Sequence, residues 1–331
     1  MEFVIMISPT SSVKPSPTYS NKNLANAYFD IFKDTSPSNL KAHALQQRLN
    51  SYYKRLMNEP IYFQSIPDDI DELADIRAIE DAWNRHLENG IKHAFPKSKK
   101  EFKTWYFSVN EDYKTAVKPF FDYFSQRASL EELALYLAFE QQIDGSFDDT
   151  VALAQIGLKG KAKMVLGENY WDEMGNGNEK DVHTIMFANS VNYLEAVLKK
   201  SRPDINIANH IPTEALANGN MLMMYANRRK YIPRLLGAIG ILEDTAPDRF
   251  KCTVTLMKRY NLSEEVLRYH EVHVCCDCRH GEDILDHVLI ASVMQGDQEY
   301  LHEVCKGVVI RLNVAIDYYK SLERCFKTLF N

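Results

Sequence analysis

The sequence predicts an all-α fold, and three observations carry that expectation. Long segments place apolar residues at helical spacing, only 13 glycines and 12 prolines punctuate 331 residues, and 45% hydrophobic composition supplies a substantial core. The length suits one large or two ordinary domains.

Taken in order, residues 8–23 are rich in Ser, Thr and Pro and belong to a disordered or extended lead-in over residues 1–35. Ser36 with Pro37 has the form of a cap and first helical position, opening a helix to about Met57. Asp68 to about His93 reads as a second helix, with Ile70, Leu73, Ile76, Ile79 and Trp83 on one side. Residues 36–95 are therefore expected to be an N-terminal helical extension of a main body over residues 96–331. That body should open with helices over about 98–108 and 113–127. Ser129 with Glu132 is a capping-box pattern that starts a helix from Leu130 to about Ile143. A run from Phe147 passes Gly157 and Gly160 into a helix over 161–174, which Gly175-Asn176-Gly177-Asn178 breaks. The next helix starts near Glu179 and holds His183. Beyond Arg202-Pro203, helices are expected over 213–227, 231–245, from Pro247 to Tyr260, from Ser263 past His273, and over 297–329. Gly237 and Gly240 would permit close helix packing. No repeat of solenoid length is present.

Several function classes are disfavoured. A formal net charge of −6, with Lys and Arg scattered rather than striped, gives no footprint for nucleic acid. No run of 18 apolar residues exists to span a membrane, and Phe3–Ile7 is short and follows Glu2 rather than a basic region. The six cysteines lack the spacing of a disulfide framework, which suits reduced thiols and a cytoplasmic location.

The chemistry concentrates in Tyr269–Asp283, where His273, Asp277 and His280 are spaced i, i+4, i+7. At roughly 100° per residue they fall within an arc of about 60° on a helix, so two imidazoles and a carboxylate share one stripe. Neutral nitrogen and anionic oxygen on one stripe suit a metal ion; a polar face that happens to hold two histidines is the plainer alternative. Further candidates lie elsewhere. Glu140 follows the apolar run Leu133–Phe139, Glu173 closes a helix ten residues before His183, and Glu243 ends the apolar run Leu235–Leu242. Taken singly, each glutamate is more often an exposed or capping residue. Together they supply three Glu, one Asp and three His, the donor mix of a non-haem dinuclear iron or manganese centre.

On these segments the chain resembles the haem-oxygenase-like diiron oxidases and oxygenases, a family of iron-containing redox enzymes. Four pieces carry the likeness: Glu140 in Ala138-Phe139-Glu140; Asn169-Tyr170-Trp171-Asp172-Glu173-Met174-Gly175-Asn176-Gly177 followed by His183; Leu236–Glu243; and Glu271-x-His273-x-x-x-Asp277-x-x-His280-Gly281. The matching stretch spans about residues 130–295, and Cys275, Cys276 and Cys278 depart from the charged residues commoner there. The resemblance implies a bundle of about seven core helices holding two irons. It implies Glu140, Glu173, His183, Glu243, His273, Asp277 and His280 as ligands, with no catalytic side chain beyond them. It implies O₂ as co-substrate, an external reductant, and a homodimer or an electron-donor protein as partners to look for. Family members act as N-oxygenases on amines and guanidines, or as desaturating and C–C-cleaving oxidases on amino acids and fatty acids. Glu173 matches an additional carboxylate of the N-oxygenating members, so N-oxygenation of a small amine or amino-acid-like substrate is the favoured expectation.

Rival readings use the same residues. A zinc site of His273, Cys275, Cys276 and Cys278 would need side chains that diverge on a helix. A ferritin-like centre would need two Glu-x-x-His motifs, and only Glu299-x-x-His302 is present. His270 and His287 extend the stripe as orienting residues or as ordinary core or surface histidines. Met221, Met223 and Met224 read as core filling or as a flexible pocket wall. A non-catalytic helical protein kept for interaction or metal storage is the competing class.

Overall fold

A computed structural model gives the structure for residues 22–34 and 39–330, with side chains for all of these except residues 22 and 275–278. The Ser36-Pro37 cap and the lead-in before Lys22 lie outside the described residues. Those described are all-α and contain no strand. None of their helices is long and apolar enough to cross a membrane.

The N-terminal part comprises α1 (Lys22–Lys33), α2 (Leu40–Leu56) and α3 (Ile70–Asn89). α1 falls where a lead-in was expected. It is helical because Tyr28, Phe29 and Phe32 recur on one side and pack on α3, where Tyr28 donates to Asp75 at 2.6 Å and Phe32 meets Trp83. These helices share buried polar links with the body. Glu80 of α3 is fully buried and accepts from Tyr53 at 2.7 Å and Arg77 at 2.7 Å, with Arg228 at 3.4 Å.

The body follows as α4 (Phe102–Arg127), α5 (Leu130–Glu140), α6 (Phe147–Ala154), α7 (Gly160–Glu173), α8 (His183–Ser201), α9 (Thr213–Asn227), α10 (Ile232–Arg259) and α11 (Glu264–Ile284). A π-helical turn, Leu285–Ile290, then joins α11 to α12 (Ala291–Gln295), and α13 (Gln298–Phe330) follows. The capping box at Ser129 and Glu132 forms as the spacing predicts.

Two expected breaks are absent. Residues 108–113 stay helical within α4, because Val109 and Asn110 are buried there and Asn110 donates to Asp244 on α10 at 2.5 Å. Pro247 lies inside α10 rather than opening a new helix. It costs the carbonyl of Glu243 its usual donor four residues on, a loss that packing on both sides of α10 overrides.

α10 is the central rod, packed along α11 and α13. Its approach to α13 depends on glycine on both helices. A Cβ on Gly237 would overlap the Val304 carbonyl, and one on Gly307 would overlap the Arg234 carbonyl. Where they meet, Arg234 is buried and ties Glu88, at 2.7 Å, and Asn84, at 2.8 Å, to Glu303 of α13. Gly307→Ala should destabilise the protein by about 1–3 kcal/mol through overpacking, read as a lower urea midpoint at unchanged slope. An unshifted midpoint would mean the two helices separate at no cost.

Candidate metal centre

The site is built around the end of α7. Glu173 is its last residue, and the chain then reverses through Gly175 (φ 60°), Asn176 (φ 52°) and Gly177 (φ 86°). A Cβ on Gly175 would run into the backbone of Asp181 and Val182, so only glycine lets the two strands of the turn pass this closely. The reversal makes His183 the first residue of α8 and returns it to Glu173, with Nδ1 at 3.0 Å from Oε2. His273 of α11 completes the group. Its Nε2 stands 3.9 Å from Glu173 Oε1, and its ring centre is 4.3 Å from that of His183.

All three are buried, and their candidate ligand atoms lie within 4.8 Å of one another. His273 Nδ1 donates to the Tyr269 carbonyl at 2.7 Å, which leaves Nε2 as the ring nitrogen that faces Glu173 and that a cation would take in place of its proton. Burial pushes the Glu173 carboxyl up, but hydrogen bonds and charge from His183 and His273 outweigh it and hold the group down at about 2.

Beside this triad lies a second pair. His280, two turns beyond His273 on α11, places Nδ1 3.7 Å from Glu243 Oε2 and Nε2 2.8 Å from Asp172 Oδ2. Burial lowers the His280 imidazole, yet the Glu243 and Asp172 carboxylates raise it to about 9. Asn169 donates to the other Glu243 oxygen at 2.9 Å. Asn169, Asp172 and Glu173 occupy a single turn of α7 within an arc of about 100°. Their joint reach to Glu243, His280 and the two remaining histidines was not drawn from the sequence; the i, i+3, i+4 spacing is the signal for it.

Glu140 is buried as its apolar surroundings predict, but its partners are a cation and an acid. Arg249 donates to Glu140 and holds Asp144 with both terminal nitrogens, at 2.9 and 3.1 Å. Burial raises the Glu140 carboxyl to about 7 against the pull of Arg249. The structure thus joins Glu140 to Arg249 rather than to the described histidines. The Asp277 side chain, like those of Cys275, Cys276 and Cys278, lies outside the described residues.

The lesser candidates separate. His270 is buried between Phe187 and Phe250, and that burial keeps it uncharged, its pKa far below the usual range. His287 is exposed and faces Asp283 at 3.8 Å. His302 packs on Phe95 and contacts Gln298. Met221, Met223 and Met224 are buried in the core.

The donor set fits iron. His280 Nδ1 is buried without a hydrogen-bond partner, and His183 Nδ1 has the Glu173 carboxylate beside it, so a cation could be held at either nitrogen. Imidazole nitrogen with carboxylate oxygen is the mixture iron(II) accepts. A cavity of ≈ 760 Å³ reaches the site, lined by His183, Asp172, Gly175, Asn176, Arg268 and Arg279 among others.

Comparison with known proteins agrees with this donor chemistry. The pattern of a family described as iron-containing redox enzymes matches residues 134–315. Among solved structures, the chain is similar to a domain of unknown function with a heme oxygenase-like fold from Shewanella denitrificans OS217. The identity is 15%, the match covers 69% of this chain and 92% of that one, and the TM-score is 0.49. It is also similar to a CADD-like protein of unknown function from Nostoc punctiforme PCC 73102, in two crystal structures. One is 16% identical, covering 65% and 98% of the two chains at a TM-score of 0.44; the other is 14% identical, covering 67% and 99% at 0.43. No curated protein matches the sequence.

In the metal-free protein the Glu173 carboxylate stabilises the fold fully above the ordinary glutamate value of 4.5, and that contribution fades as pH falls toward about 2. Wild type should therefore lose its advantage over Glu173→Gln as acid is added. Urea midpoints taken at intervals between about pH 6 and 3 should converge, and a constant gap would contradict the assigned partners.

Proposed function

The chain belongs to the iron-containing redox enzyme family, and from that premise we propose a non-haem diiron oxygenase that uses O₂ to oxidise a small amine or amino-acid-like substrate. The observation that carries the reading is Glu173 seated between His183 and His273, with Glu243 and His280 adjoining. In this reading Glu173, His183 and His273 hold one iron. Glu243, His280 and Asp277 serve the other, with Glu140 as a further carboxylate once released from Arg249. Two ferrous ions, when bound, supply the electrons and the docking point by which O₂ is reduced.

The protein supplies the rest. The Tyr269 carbonyl holds His273 by Nδ1, so Nε2 is the nitrogen turned toward the metal position. Asn169 holds Glu243 by one oxygen and leaves the other turned toward His280. The aromatic wall of Tyr269 and Phe250 keeps water from the histidine rings. The cavity beside His183 is the approach for substrate, and the Arg268–Asp181 and Arg279–Asp172 pairs stand at its rim. N-oxygenation is the favoured outcome because Glu173 adds a carboxylate at the triad.

Anaerobic addition of ferrous ion should saturate at two equivalents per chain, and O₂ should then produce a transient visible absorption band. Absence of iron uptake would favour a non-catalytic interaction protein. His280→Ala should lower iron occupancy and abolish substrate-dependent O₂ consumption; full turnover in that variant would count against the assignment. Mass spectrometry of products from amines and amino acids, against fatty acids, decides the reaction type. A gain of one oxygen on nitrogen supports N-oxygenation, whereas loss of two hydrogens or of carbon dioxide points to desaturation or C–C cleavage.

A further inference from the structure

We propose that Asp172 is a positioning residue for His280. It accepts the Nε2 proton, and so presents the bare Nδ1 to the metal position beside Glu243. The inference rests on the diiron reading above.

Three observations lead to it. Asp172 Oδ2 lies 2.8 Å from His280 Nε2, a charge-assisted hydrogen-bond distance. On the far side of the same ring, Nδ1 is buried, makes no hydrogen bond, and faces Glu243 Oε2 at 3.7 Å. Imidazole as a ligand has one protonated nitrogen and one lone pair. An anionic acceptor at Nε2 keeps the proton there and leaves the lone pair at Nδ1. His273 has the opposite assignment, Nδ1 engaged and Nε2 open, through the Tyr269 carbonyl. Two histidines of one helix therefore offer different nitrogens, because each has a different acceptor at its back.

Asn176 and Arg279 are the other partners of Asp172. Arg279 pairs with Asp172 from the surface, its side chain 64% exposed, and an exposed pair of this kind contributes little to stability. Both groups reach the same Oδ2, Arg279 from the solvent side and the buried His280 from within. Because Asp172 and Glu173 are adjacent on α7, they diverge by about 100°. One carboxylate supports His280 while its neighbour meets His183 and His273.

The test uses the full chain with cobalt(II) as the probe under anaerobic conditions. Competition with a chelator measures the affinity of each equivalent, and proton NMR records the metal-shifted imidazole N–H resonances. Asp172→Asn preserves side-chain volume but removes the anionic acceptor, and its urea midpoint checks that the fold survives. It should bind the first cobalt as wild type does and the second 10–100-fold more weakly. One shifted N–H resonance should vanish or exchange rapidly with solvent, while that of His273 persists. Arg279→Ala should keep both the second affinity and the resonance. Wild-type cobalt binding and an intact resonance in Asp172→Asn would overturn the proposal, as would the same losses in Arg279→Ala. If wild type itself takes up no second cobalt, or if His280→Ala binds two as tightly as wild type, the diiron reading falls and this proposal with it.

Discussion

The structure depends on making ionisable side chains tolerable inside a helical core. An unpaired buried carboxylate or imidazolium is costly, so each one here has an opposite charge, a hydrogen bond, or a cluster of its own kind suited to a cation. Glu173 has two histidines, Glu243 has Asn169 and His280, and Glu80 has Tyr53 with Arg77. Helix packing serves that arrangement. α7, α8, α10 and α11 each contribute a side chain to the histidine and carboxylate cluster.

Two backbone devices make the convergence possible. The left-handed Gly175–Gly177 turn folds α8 back on α7, so residues ten apart in sequence become direct neighbours. Glycines at the α10–α13 contact let the central rod sit deep, and α11 then lies against its other side. Rigid elements set at such close range hold ligand atoms in place before a cation arrives, and that is what a metal site requires of its protein.

Alongside the histidine cluster runs a second buried polar system. Arg249 stands over the Phe250 ring and gathers Glu140 and Asp144, while Phe250 itself packs on His273. In the metal-free chain Glu140 is thus charge-compensated by arginine.

Much of this was legible in the sequence because it is local. Helical periodicity, the Ser129–Glu132 box and the glycine break after Glu173 each act within a few residues, and all three stand in the structure. The i, i+4, i+7 stripe likewise put His273 and His280 on one side of α11. The continuity of α4 through residues 108–113 and of α10 through Pro247 was not legible, since long-range packing overrode local break signals. Nor was the pairing of Glu140 with Arg249, 109 residues away. Residue type and spacing marked the candidates for holding a cation, and folding settled that Glu173 met histidine while Glu140 met arginine. Propensity and spacing act along the chain, whereas charge is compensated across space by whatever neighbour folding delivers.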